Sequence, residues 1–355
     1  MATSLTRLNW TQALRCPFSS PCRAFQSTYA NPLQWLSICK TAELKSIANA
    51  IGSNTGGTKA VLAANLHHDL QRDRFALPIG ANGRHILGTG HNIVSIDMGI
   101  RNLAFCRISL PPNWASAAQS TVPIVHEWAR IVVSKRANAE SLVDDAKKSA
   151  SKEAFDPATY AQHAYLLVEK LLSTSQPTQI LIERQRFRSM GGSAVQEWTL
   201  RVNMFEAMLY AVLKTFSEQG SWNGAVHPVG PAKVSKFWLG NAEVCSGTKS
   251  TSKSSKTKAA KIDLLANWLE NGERFELKGS AAKLGPAFLE KRKSAKRVVV
   301  KQDEMIVNTP DRSVEVEMGK LDDLADCLLQ GMAWVEWERN RRTILTDGIQ
   351  ALPEF

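Results

Sequence analysis

The stretch NIVSIDMGIRNLAFCRI, residues 92–108, decides the fold. Asn92–Asp97 is a short apolar run ending on an acid. Met98–Asn102 carries Gly99 and Asn102 and reads as a turn. Leu103–Ile108 is a second apolar run. Two such runs across so short a connection make a hairpin. A buried strand exposes its last residue at the end of the sheet, where a ligand can reach it. A desolvated, unpaired carboxylate is costly, so Asp97 calls for a cation or a partner.

Working outward, Ile124–Val133 reads as a third strand. A helix is predicted at about 158–174, with Pro177 behind it. Gln179–Glu183 (QILIE) is another buried strand that ends on an acid. A long helix is predicted over 194–217, a fifth short strand at Ala225–Val229, and helical pattern again at 259–270 and 319–338. The order predicts an α/β chain with an RNase H-like core: a five-stranded mixed sheet flanked by helices, spanning 92–340. Within KLDDLADCLL (320–329), Leu321, Leu324 and Leu328, with Met332 beyond them, form the apolar face of a helix. Asp323 and Asp326 are three apart and Asp322 and Asp326 four apart, so both pairs are neighbours on its surface. Acids in a first turn also suit the helix dipole, which is the purely structural explanation. In company with Asp97 and Glu183 they make a carboxylate site for a hard cation, Mg²⁺ or Mn²⁺. None of the six cysteines forms a C-x-x-C pair, and no Cys/His group has zinc-ligand spacing.

The rest of the chain points to a polyanion. Lys and Arg number 44 against 33 Asp and Glu, a net charge of +11. No apolar run reaches the roughly 20 residues a membrane span needs. Glu183 opens directly into Arg184, Arg186, Phe187, Arg188 and Met190. The arginines suit phosphates, and the apolar pair suits a wedge between unstacked bases. Residues 246–301 hold 14 Lys/Arg against 5 Asp/Glu, starting with a Ser/Thr/Lys tract at 246–258 that reads as a mobile basic insertion. Lys233, Lys236, Lys256, Lys258 and Lys261 are candidate phosphate contacts.

The first 42 residues contain no acid but carry Arg7, Arg15, Arg23 and Lys40 among Ser, Thr and Ala, the composition of an organellar transit peptide, placed here at 1–30. Residues 33–70 hold two helical rhythms, Leu44/Ile47/Ile51 and Val61/Leu62/Leu66. A Gly/Ser/Asn/Thr break separates them, with Thr41 and Thr58 as candidate caps. Through Leu44-Lys45, Gly52, Gly57-Thr58-Lys59, Leu62 and Leu66 this segment resembles the SAP motif, a helix–loop–helix DNA-binding module, with Lys59 at the phosphate-facing helix start. Residues 71–91 read as a linker and 341–355 as a C-terminal tail.

The stretches IVSIDMGIRNLAFCRI, ILIERQRFRS, HPVGPAKVSKFW and KLDDLADCLLQGMAWVEW together resemble the fungal mitochondrial Holliday-junction resolvases, relatives of the bacterial RuvC enzymes. The resemblance implies an endonuclease that resolves four-way DNA junctions by paired nicks, leaving 5′-phosphate and 3′-hydroxyl ends. It also implies two Mg²⁺ ions per site (Mn²⁺ substituting), a homodimer on a two-fold substrate, no small-molecule cofactor, and residence in the mitochondrial matrix with the nucleoid. It assigns the metal site to Asp97, Glu183, Asp326 and either Asp323, favoured by RuvC-like spacing, or Asp322. It adds a lysine near the scissile phosphate without saying which. A nuclease acting on hybrids or flaps, or a non-catalytic junction- or nucleoid-binding protein, are the alternatives.

Overall fold

The computed structural model describes residues 33–76, 90–111, 114–115, 122–131, 133, 156–185, 197–240, 253–294, 298–303, 313–318 and 320–352. The hairpin forms as the sequence predicts. β1 (His91–Asp97) pairs antiparallel with β2 (Leu103–Leu110), which pairs antiparallel with β3 (Ile124–Ile131). β4 (Gln179–Glu183) runs parallel to β1, and β5 (Ala225–Val229) parallel to β4. The helices α3 (Pro157–Ser175) and α4 (Glu197–Glu218) supply the crossovers, and α5 (Pro231–Leu239) follows β5. α3 starts where it does because Asp156 accepts from the Thr159 backbone N–H at 3.0 Å while Pro157 presets the first helical residue. The resulting order, β5-β4-β1-β2-β3, is the mixed sheet expected of an RNase H-like core.

Three strands exceed the five expected. β6, only Glu276–Leu277, adds to the far edge beside β3, and β7 (Val299–Asp303) with β8 (Ser313–Glu317) makes a separate two-stranded ribbon. β6 is too short to leave a periodic signal. Between these elements lie α6 (Lys253–Asn271) and α7 (Gly279–Lys293). The tract expected as a mobile insertion at 246–258 therefore divides. Residues 253–258 are the first turns of α6, and 246–252 fall outside the described residues.

The sheet's period of two sorts its residues between two cores. Val94, Ile96, Ile180 and Ile182 pack on the side of α3 and α4 with Leu167, Val168, Phe205 and Leu209. Ile93 and Leu181 face the other way, into the core that holds α8 (Asp322–Asp347) with Trp128, Leu265 and Phe288. The same parity turns Asp97 and Glu183 toward α8. Close approach of α8 depends on Gly331. A Cβ there would sit 2.6 Å from Ile108 Cδ1 and 3.2 Å from Ser95 Cβ. Ser95 Oγ donates to the Cys327 carbonyl at 2.7 Å, Trp128 Nε1 to that of Leu324 at 3.0 Å, and Gln330 Nε2 to that of Ile96 at 3.1 Å. These bonds fix the register of α8 on the hairpin.

α8 runs on for 26 residues, about 39 Å at helical rise. Its last turns correct the expectation of a tail from 341. Asn340, Arg341 and Ile344 are buried, and the helix ends only at Asp347. What buries them is the N-terminal module, a 3₁₀ turn (Gln34–Ser37), α1 (Thr41–Ala50) and α2 (Lys59–Gln71), whose Leu36, Leu44, Leu62 and Leu66 pack around Ile344. Gly52, at φ +66°, lies against Trp337 so closely that a Cβ would stand 2.2 Å from the indole. Asn340 Nδ2 donates to Ala50 O at 2.8 Å and Arg341 Nη1 to Leu70 O at 2.6 Å. The first helix is capped differently from the expectation. Thr41 is already helical, and the Glu43 carboxylate accepts from the Lys40 N–H at 2.7 Å. Thr58 does cap α2, through Val61 N–H. The start of the expected linker is also fixed, since Phe75 is buried and Arg74 donates to Ile51 O.

Candidate active site

β1 and β4 lie side by side in parallel register, Ile96 opposite Ile182, so the next residues along, Asp97 and Glu183, end at the same level and are hydrogen-bonded to each other. The first turns of α8 bring Asp323 and Asp326 into their field. Burial, and then the neighbouring Glu183, hold the Asp97 carboxyl well above the usual range. Burial raises Glu183 and Asp326 too, and with the adjoining Asp322 it pushes Asp323 up to about 6. Asp323 Oδ2 is buried without a hydrogen-bond partner.

Two lysines of α6 face this cluster. Lys261, buried, places Nζ 2.8 Å from Asp326 Oδ1, a close ion pair. Lys258, half-exposed, pairs with Asp322. Asp322 is thus turned to Lys258, while Asp323 acts on Asp97. Five carboxylates against two lysines leave an excess of negative charge that favours a divalent cation. As the side chains stand, no three His, Cys, Asp or Glu among the described residues are grouped to hold a metal ion. The Asp97–Glu183 hydrogen bond and the two lysine pairs engage these carboxylates as they stand. The donor set therefore fits a hard cation once that hydrogen bond is given up.

The other expected contacts are dispersed. Arg184 is exposed beside the acids, its N–H bonded to Val229 O at 2.8 Å. Arg186, Phe187, Arg188 and Met190 lie outside the described residues. Lys256 is half-buried on α6. Lys59 is exposed at the start of α2, remote in sequence from the acids. Lys233 and Lys236 reach the N-terminal module, Lys233 Nζ donating to Gly52 O at 3.1 Å and Lys236 Nζ to Thr55 Oγ1 at 3.2 Å.

Three residues of the site carried no signal in the sequence. Arg130, on β3, exerts its positive charge on Asp323. Glu206, on α4, accepts from the Gln185 N–H at 3.4 Å and feels both Arg184 and Glu183; burial raises its carboxyl. Gln185 donates its side-chain amide to Met98 O at 3.4 Å, tying the strand-end loops together. Arg130 and Glu206 lie on elements whose pattern reports only burial, and Gln185 lies in the loop after β4.

Residues 93–344 match the family described as mitochondrial resolvase Ydc2 / RNA splicing MRS1. The chain belongs to that family. Two curated relatives are both called "Cruciform cutting endonuclease 1, mitochondrial". The one from Schizosaccharomyces pombe is 35% identical over 121 residues, 34% of this chain and 40% of that protein. The one from Saccharomyces cerevisiae is 23% identical over 333 residues, 89% of this chain and 88% of that protein. The crystal structure of the yeast mitochondrial Holliday junction resolvase Ydc2 superposes with a TM-score of 0.52 at 23% identity, covering 88% of this chain and 99% of that one, and so shares the fold. The matched span of this Ydc2-family member runs from β1 to the last turns of α8, so all five acids of the cluster lie within it.

Proposed function

We propose that this Ydc2-family member is a structure-selective endonuclease that resolves four-way DNA junctions of mitochondrial DNA by paired, symmetric nicks. The observation that carries the reading is the convergence of Asp97, Glu183, Asp323 and Asp326 at one end of the sheet. A protein that only binds phosphates gains nothing from carboxylates there. Asp97, Glu183, Asp323 and Asp326 would hold two divalent ions, Mg²⁺ or Mn²⁺. The ions supply an acidified water, and charge stabilisation at the leaving 3′ oxygen. Asp322 stays with Lys258. Once Asp326 turns to a cation, Lys261 is released at the rim, where its ammonium can meet the scissile phosphate. Arg184 and the arginines that follow it hold the flanking strand, and Phe187 and Met190 open the junction's centre. The N-terminal module adds the Lys59 helix start as a second DNA contact, set at a fixed distance by its docking on α8. A homodimer matches the two-fold substrate, and the acid-free leader directs the chain to the mitochondrial matrix, with the nucleoid.

Purified protein with Mg²⁺ and an end-labelled four-way junction tests this. The expected result is paired nicks at symmetric positions, little cutting of linear duplex or RNA–DNA hybrid, and products that a ligase seals. Cleavage of hybrid in preference to junction overturns it. The family's description also names an RNA-splicing protein. Tight binding to structured RNA with no metal-dependent cutting of DNA would favour that second reading.

A further inference from the structure

We infer that Trp198, backed by Arg101, is a stacking platform for an unpaired base at the rim of the active site. The inference rests on the junction-resolving reading above. Along α4 the buried stripe runs Val202, Phe205, Leu209 and Leu213, none more than 5% exposed. Trp198 is the next residue on that stripe, one turn before Val202. It nevertheless stands 39% exposed. Among the described residues this indole joins neither of the two cores that flank the sheet. What lies beneath it is Arg101, an exposed residue of the β1–β2 turn four positions after Asp97, with its guanidinium carbon 5.1 Å from the ring centroid.

This placement is hard to explain as packing. A large aromatic ring left open to solvent loses most of the benefit of burial. A cation set against one face leaves a flat, polarisable ring at the level of the catalytic acids. That combination suits nucleic acid: the indole stacks on a base and the guanidinium sits near the backbone phosphate. Stacking requires a base already out of its helix. Where the centre of a four-way junction is opened, the bases flanking the exchange point lose a stacking neighbour and can offer a face, and a continuous duplex offers none. The pair is therefore a determinant of selectivity for branched DNA, separate from the metal-binding acids.

The test uses the full-length Asp97→Asn protein, so that binding is measured without cleavage. Its affinity for a four-way junction and for linear duplex is compared with that of the same protein carrying Trp198→Ala or Trp198→Phe. A 2-aminopurine at the branch point reports stacking by its fluorescence. Trp198→Ala should weaken junction binding about tenfold, equivalent to about 1.4 kcal/mol. Duplex binding should change less than about twofold, and the quenching of 2-aminopurine should be lost. Trp198→Phe should recover most of both signals. Arg101→Ala should reduce the salt dependence of binding by about one phosphate contact. If Trp198→Ala does not fold, the 2-aminopurine signal with the Asp97→Asn protein and with Trp198→Phe decides instead. Absence of quenching there overturns the platform. So does unchanged junction affinity in a folded Trp198→Ala. If the Asp97→Asn protein itself binds junction no better than duplex, the junction-resolving reading falls, and the platform with it.

Discussion

At its first turns α8 sets Asp322, Asp323 and Asp326 beside Asp97 and Glu183. About four turns later the same helix sets Glu338 among Arg341, Arg342 and Arg74. Both clusters are at least partly buried, and they are built to opposite specifications. Glu338, fully buried, receives Arg341 Nε and Nη2 at 2.7 Å each and Arg342 Nε at 2.8 Å. Both carboxylate oxygens have guanidinium donors, so burial is compensated within the chain. At the other end acids outnumber their cations, Asp323 Oδ2 has no partner, and the carboxyls of Asp97, Glu183, Asp323 and Asp326 are all raised. One end of α8 holds the N-terminal module to the core. The other holds an unbalanced charge ready for an external cation. The difference between them separates a charge cluster that is compensated within the chain from one that is not.

Four substitutions break or sharpen that contrast. The largest effect is expected for Asp97→Asn, which should lower junction cleavage on the order of 10³-fold in single-turnover assays while leaving junction affinity within a few-fold in a gel-shift titration. Next comes Glu338→Ala at the structural end. It strands Arg341 and Arg342 and should cost about 3 kcal/mol in urea unfolding, with increased proteolysis of the N-terminal module.

Asp323→Asn should act in the reverse direction. The carboxyl titrates near 3.8 when unfolded and at about 6 when folded. Between these values the folded state binds more protons, so the charged group's burden on stability grows as pH rises through this window. Without divalent metal, the variant's Tm should exceed the parent's above about pH 6 and the two should converge near about pH 4; cleavage should be lost. Equal melting curves at neutral pH would show that this end is as well compensated as the other. The smallest change is expected for Lys258→Ala. This half-exposed pair with Asp322 should contribute less than about 1 kcal/mol by thermal melting, and its effect should shrink in high salt.

Much of this was legible in the sequence. The apolar runs NIVSID and QILIE each placed an acid at a strand end, and the helical spacing of Leu321, Leu324 and Leu328 identified the helix that carries the rest. Three features were not legible. β6 is two residues long and has no period to detect. The closing helix was read only to 338, with a tail from 341, whereas it runs to Asp347. Arg341 is in fact buried against Glu338 and Leu70 O. Lys233 and Lys236 read as phosphate contacts, and in the structure they reach Gly52 and Thr55, about 180 positions away in the chain.

The sequence by itself determined the strand-end acids, the helix that faces them and the basic character of the chain. These follow from side-chain period and composition, which are local. Tertiary structure decided which neighbour of the Asp322-Asp323 pair acts on Asp97, which lysines answer the acids, that the N-terminal module packs on α8, and that Trp198 lies over Arg101. Those facts depend on where distant elements cross. Gly331 lets α8 approach Ser95 and Ile108, and Gly52 lets the module close on Trp337. A glycine states only that something can come near; the fold determines what does.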